Sequence, residues 1–316
     1  MDSLMRSVGF GVHSYHPFRR NTEKKHIFDL QYACKCVILR RTGLKRLKSH
    51  RLPLPNLLLR YLTTLSTDEF EELECAPFTD MFDLHFYHRA LTYRVRCKLD
   101  CNEYLATYDS DFFPRKDNRS KWMEVVHKYV MSVYAIVVDE PTGNQFYLLD
   151  TPTANLESIR GVMLKSKIVL PEDHLWKLVH QLSTALIYLS STGVDYGSFS
   201  LDNLYMVGQR LVLENGLTKK NKLKESDKWK VEDDQRSLVQ NLGRVLNKLV
   251  YANRLINNVD YSDDLLKIIG DCQSGDPPEL ENIRLLSKMR SKTDITCPEI
   301  PLCNFVKSVR DARLRS

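Results

Sequence analysis

Apolar residues recur along this chain in two rhythms, and the change between them falls near its middle. From about residue 80 to 150 they lie in short β-branched and aromatic runs, LTYRVRCKL, EYLATY, SVYAIVV and QFYLLD. Such runs predict strands. One helix-like segment, SKWMEVVHKYV, interrupts them, and Pro141-Thr142-Gly143 makes a turn between the last two. After residue 151 the spacing becomes helical. The clearest case is PEDHLWKLVHQLSTALIYLSSTG, which opens on Pro171 with acidic residues and closes on Gly193. Further helices are predicted at 233–252 and 262–272. Strands first and helices after predict an α+β fold.

Ahead of the strands, residues 26–40 are strongly apolar, with Leu30, Cys34 and Ile38 at four-residue spacing on one helical face. A basic loop is predicted next. LPLPNLLLRYL follows, its prolines stiffening the entry to a short helix after Pro55. Acidic residues at 68–74 break the composition and mark a boundary. Residues 1–25 are polar, basic and without periodicity, which predicts poor order. Cys297-Pro298 and Pro301 predict an extended segment before a short basic helix at the end of the chain.

Charge sharpens this division. Residues 1–63 hold 13 Lys or Arg against 3 Asp or Glu, although the whole chain carries only +6. The first 63 residues therefore have a different partner or task from the rest; a solvated basic helix face is the plainer account of the same charge. A basic arm for nucleic acid ranks low, because few aromatics beyond Tyr15, Phe18, Phe28 and Tyr32 are interleaved there. No apolar run approaches the ~18 residues of a membrane span, and the N-terminus lacks the apolar core of a secretory signal. Eight cysteines occur without a CxxC pair. Cys34 and Cys36 make only a CxC on a predicted helix, so reduced thiols in a cytoplasmic or nuclear protein are expected, with no metal and no cofactor.

The order of segments over roughly 80–295 resembles a protein kinase domain, with a flavour nearest the NimA-related kinases. QFYLLD and NLESIRG resemble the fifth strand, hinge and following helix. The segment from Ile168 resembles the helix before the catalytic loop, DYGSFSLDNLYM aligns with HRDLKPxN, and LVLENGL aligns with the DFG strand. DQRSLVQNLGRVLNKL resembles the buried helix that begins with Asp, here Asp234, and LLKIIGDCQSGDPPELENIRLL the last two helices. The resemblance implies a two-lobed fold, with an N-lobe over 80–150 and a C-lobe over 151–295.

Phosphoryl transfer depends on charges held in place, and the aligned positions lack them. No glycine stands between Gly43 and Gly143, where the phosphate-covering loop belongs. Leu105-Ala106-Thr107-Tyr108 replaces V-A-x-K, putting Tyr108 where the phosphate-pairing lysine is expected and leaving Glu124, its helix partner, without a cation. Tyr196-Gly197-Ser198 replaces His-Arg-Asp, and Ser198 has no carboxylate to accept a proton. Ser200 replaces the loop lysine, Asn203 is kept, and Glu214-Asn215-Gly216 replaces DFG. Asn203 with Glu214 is the only metal-binding geometry left. The segment from Gly216 to about Val231 is short and Lys-rich, with no APE motif. The resemblance thus implies a pseudokinase, not an enzyme. An unrelated α+β domain and an atypical phosphotransferase are the other accounts of the region.

The N-terminal segment resembles a SOCS box. In that family a Leu-x-x-x-Cys-x-x-x-aliphatic helix binds elongin C, and Leu30, Cys34 and Ile38 match it. Helix-in-groove binding would seat the leucine in a pocket, and the small cysteine permits close approach. The cullin-box half matches Leu52, Pro53, Leu54, Pro55, Leu58, Tyr61 and Leu62, in the LPLP form that resembles cullin-5 adaptors. SOCS boxes usually close a chain, whereas this one precedes its companion domain. The resemblances together imply a basic tail over 1–27, a small helical SOCS-box module over 28–63, the kinase-like lobes and a tail over 296–316. They imply a substrate-recognition subunit of a ubiquitin ligase, with elongin C, elongin B, a cullin-5 type scaffold and a client protein as partners. A pseudokinase scaffold or allosteric partner of another kinase is the rival reading.

Overall fold

A computed structural model describes residues 30–49, 54–73, 92–108, 119–152, 154–194, 196–207, 210–217 and 234–290. The predicted tails over 1–27 and 296–316 lie outside those residues, as do Leu52 and Pro53. The described part is a mixed α+β structure built on one curled six-stranded sheet.

The strands are β1 (Thr64–Ser66), β2 (Phe70–Glu72), β3 (Thr92–Cys97), β4 (Glu103–Tyr108), β5 (Val133–Asp139) and β6 (Asn144–Leu149), in the spatial order β2-β3-β4-β6-β5-β1. Neighbours are antiparallel except β1, which runs parallel to β5. Strands β3 to β6 are the four apolar runs of the sequence. Strands β1 and β2 have three residues each, too few to show a period.

Both faces of this sheet are covered. Tyr104, Ala106, Phe146, Leu148 and Val137 point to one side and share a core with Leu39, Leu44, Leu47 and Leu62. Leu105, Tyr147, Leu149 and Val133 point to the other and join the larger core of the molecule. A register slip in β5 between Val133 and Ala135 turns both Tyr134 and Ala135 toward the first side.

That first side is covered by three helices: α1 (Leu30–Thr42), α2 (Leu44–Ser49) and α3 (Asn56–Thr63). Helix α1 stops at Gly43, whose φ of +71° suits glycine and whose N–H donates to the Leu39 carbonyl at 2.8 Å. Helix α2 stands where the sequence predicted a basic loop. It forms because Asp100 of the β3–β4 turn accepts the Leu44 N–H at 2.9 Å, and because Leu44 and Leu47 are both buried. The boundary placed at 68–74 also shifts. A 3₁₀ turn over Thr67–Glu69 leads into β2, and the Leu73 N–H donates to the Arg94 carbonyl at 3.0 Å, so the folded unit runs continuously to Leu73.

On the other side lie α4 (Arg119–Glu124), α5 (Leu156–Ser166), α6 (Glu172–Ser191), α7 (Asp234–Asn257), α8 (Asp263–Gln273) and α9 (Leu280–Arg290). Helix α4 covers less than half of the predicted segment. Past Glu124 the chain turns, and Val130 bridges both His127 and Leu213. Helix α6 begins after Pro171 with Glu172 and Asp173 in its first turn, which favours its dipole. Leu175, Leu178, Val179, Leu182, Ala185, Leu186 and Leu189 give it a buried stripe. A small sheet of β7 (Ala154–Asn155), β8 (Leu204–Val207) and β9 (Arg210–Leu213) lies beside it. No helix among the described residues is long and apolar enough to cross a membrane.

Candidate functional site

The residues aligned with a kinase catalytic loop and metal motif meet at the open end of the β8–β9 hairpin. Leu204 pairs with Leu213, so their neighbours Asn203 and Glu214 are held side by side. The Glu214 N–H donates to the Asn203 carbonyl at 2.8 Å, and Asn203 Nδ2 donates to Glu214 Oε2 at 2.8 Å. The other end of that amide is also engaged, because Asn203 Oδ1 accepts the Ser200 N–H at 3.0 Å. Glu214 is only 2% exposed. The sequence pairing of Asn203 with Glu214 is therefore real, but the amide gives its nitrogen to the carboxylate and its oxygen to the chain. Among the described residues, no group of three or more His, Cys, Asp or Glu side chains gathers as metal ligands.

Around this pair the side chains are packed in. Tyr196 is buried and meets Phe199 edge-on, while Ser198, one residue past Gly197 at φ +64°, is exposed. Asn215 is fully buried; its Nδ2 donates to the Met131 carbonyl at 3.0 Å and its Oδ1 accepts the Leu217 N–H at 3.0 Å. The most telling contact is one the sequence did not announce. Trp122 of α4 is fully buried, edge-on to Tyr196 at 5.7 Å, with its indole against Gly216. A Cβ on Gly216 would stand 2.7 Å from the indole Nε1 and nearer still to Cε2 and Cζ2. No positive φ is found at Gly216, so space rather than backbone conformation demands a glycine there.

Tyr108, aligned in sequence with the phosphate-pairing lysine, lies on the side away from the larger core. On β4 alternate residues face opposite sides, and Tyr108 shares the side of Tyr104 and Ala106, under the N-terminal helices. Its ring meets Phe146 edge-on at 5.7 Å and its hydroxyl donates to Asn144 Oδ1 at 3.3 Å. Thr107, 6% exposed and paired with Tyr147, points to the side of Leu105 and Trp122. Of the two neighbours, Thr107 rather than Tyr108 is therefore the one on the side of the larger core. Glu124 also has a cation near it after all. Lys48 of α2 donates to the Met123 carbonyl; burial lowers its pKa and Glu124 opposes that shift. Residues 74–91, where a phosphate-covering loop would fall, lie outside the described residues.

The second group of sequence candidates lies on α1 and α3. Lys35 anchors α1 inward: its Nζ donates to the Thr64 carbonyl at 2.9 Å and stands 3.3 Å from Glu69, both side chains being buried. Glu69 also accepts the Ser66 N–H at 2.8 Å, the reciprocal cap of the 3₁₀ turn. Burial, with the Glu69 carboxylate beside it, holds the Tyr32 hydroxyl far above its ordinary pKa. Lys45 of α2 pairs with Asp150 at 2.8 Å, and Tyr134 donates to the same carboxylate.

With that face fixed, Leu30 is 77% exposed and Cys34 is exposed. Ile38 is not their equal. Four-residue steps drift by about 40° around a helix of 3.6 residues per turn, which carries Ile38 toward the sheet, where it packs on the first core. Val37, 54% exposed, completes the outward stripe instead. On α3 and in the two residues before it, the predicted Leu54 and Leu58 pack partly against that core, whereas Pro55 and Tyr61 are exposed. Leu57, not singled out from the sequence, is 82% exposed.

Compared with known proteins, the chain matches no family model, and no curated protein matches it significantly.

Proposed function

We propose that this chain is a catalytically silent, two-lobed kinase-like protein that serves as a substrate-recognition subunit of an elongin B/C–cullin ubiquitin ligase. The kinase-like part of the reading draws on connectivity. Along the chain β3, β4, α4, β5 and β6, then α5, α6, the β8–β9 hairpin and α7, come in the sequence of strands and helices that the resemblance over 80–295 implies, which supports this reading. Silence is the reading that fits the site. Thr107 and Ser198 carry no charge, and Asn203 and Glu214 are bound to each other.

One observation carries the adaptor role: α1 is fastened to the sheet by Lys35 and Leu39, yet turns Leu30, Cys34 and Val37 to solvent. Isolated apolar residues at a surface are ordinary, but three on one helical stripe suit helix-in-groove recognition. The kinase-like part would then hold the client protein. Mixing the full chain with purified elongin B/C and a cullin-5 type scaffold is expected to give a stable complex on size exclusion. Loss of that complex on Leu30→Ala with Cys34→Ala supports the role, and retention by the double variant overturns it.

A second reading, a pseudokinase scaffold or allosteric partner of another kinase, is favoured by the core that α1–α3 share with the sheet. These helices would then be an extension of the kinase-like fold and would bind no elongin.

A further inference from the structure

The outward stripe of α1 ends in positive charge. Leu30, Cys34, Val37 and Arg41 follow one another at four-, three- and four-residue steps, which keeps all four within one narrow arc of the helix, and all are exposed. Helix α3 repeats the design in short form with exposed Leu57, Arg60 and Tyr61. Between Asp29 and Asp68 the sequence holds eight Lys or Arg and no Asp or Glu.

Three of these cations are engaged by the fold. Lys35 takes Glu69 and the Thr64 carbonyl, Lys45 takes Asp150, and Lys48 takes the Met123 carbonyl. Arg40, Arg41 and Arg60 stay exposed and form no ion pair among the described residues. Cations in the last turn of a helix do favour its dipole. That accounts for where the arginines sit, but not for the bare Leu30 and Val37 beside them or for the missing carboxylates.

We propose that α1 docks into an apolar groove edged by carboxylates, with Val37 as its third apolar anchor and Arg41 as the residue that pairs with the acidic edge. This rests on the adaptor reading and assigns the chemistry that elongin C presents to the helix. An acidic rim facing an arginine sets orientation and association rate, and it weakens as salt screens it. RNA or an anionic membrane would be drawn to the same arginines but would gain nothing from Val37 buried in a groove.

The test is calorimetric titration of elongin B/C into the full chain at low and high salt, with each variant first checked for native circular dichroism. Val37→Ala and Arg41→Glu are each expected to weaken binding by about tenfold or more at low salt, with the Arg41→Glu deficit shrinking at high salt. Arg41→Lys is expected to keep most of the affinity, and Ile38→Ala to bind as wild type once folded. If Leu30→Ala abolishes binding while Arg41→Glu and Val37→Ala match wild type, the inference falls and the adaptor role stands. If the wild-type chain does not bind elongin B/C, both fall. Binding of a single-stranded RNA or of phosphatidylserine vesicles that is lost in Arg41→Glu and unchanged in Val37→Ala would also overturn the protein groove.

Discussion

Gly216→Ala is the sharpest test of the packed site, because a single methyl group meets a fully buried indole. The new Cβ would lie 2.7 Å from Trp122 Nε1 and nearer to two ring carbons, well inside ordinary contact. Either the indole or the turn at Gly216 must move. Trp122 has little room to do so, being enclosed by Tyr196 and the larger core. Overpacking of this kind costs about 1–3 kcal/mol, and the rigid surroundings place Gly216→Ala toward the upper end. Trp122→Ala alone costs about 3–5 kcal/mol through the cavity it leaves. In the Trp122→Ala background the methyl has space, so adding Gly216→Ala is expected to cost less than about 0.5 kcal/mol. Urea unfolding of wild type, both single variants and the double variant, followed by far-ultraviolet circular dichroism, gives the cycle directly. Additive free energies, or a Gly216→Ala variant as stable as wild type, would show that the indole does not occupy this space.

Three further outcomes follow from contacts elsewhere in the molecule. Lys35→Met is expected to cost about 3–5 kcal/mol, because it leaves the Glu69 carboxylate buried without its cation; Lys35→Met with Glu69→Gln should recover much of this in the same urea assay, since the amide still accepts the Ser66 N–H. His127 stacks on Tyr188 at 4.7 Å, and burial, aided by Lys128, pushes its pKa down to about 4. The unfolded chain therefore takes up this proton first, so stability falls as pH drops from about 6.5 toward 4; His127→Asn should show a shallower loss over that window, and an unchanged slope would refute the assignment. ATP with magnesium or manganese is expected to leave the melting temperature unchanged, whereas binding at 100 times its Kd would add about 2.7 kcal/mol of stability.

Much of the architecture is legible in the chain because it rests on long periodic runs. Strands β3 to β6 and helices α6, α7 and α8 each show their own period, and Pro171 and Gly193 bracket α6. Less was legible where a single step of register decides the outcome. Tyr108 and Thr107 are equally compatible with a strand, and only pairing with Phe146 and Tyr147 reveals which side each faces. Ile38 and Val37 pose the helical version of the same problem, settled by the side of α1 that Lys35 and Leu39 fasten down. Helix α2 was hidden because LKRLKS has no acidic start signal of its own; Asp100, far along the chain, supplies the cap. Trp122 against Gly216 was hidden for the same reason, since neither residue signals the other locally.

The parallel strand β1 has a consequence for how the protein is handled in solution. Thr64–Ser66 lies along Ile136–Val138, covering what would otherwise be the outer edge of the sheet. A fragment cut to begin at residue 80 would bare that edge, together with the apolar face that Leu39, Leu44, Leu47 and Leu62 protect. Open edges beside exposed apolar surface pair with other copies of themselves. Keeping the N-terminal segment attached is therefore expected to limit self-association when the strands and helices after residue 80 are expressed.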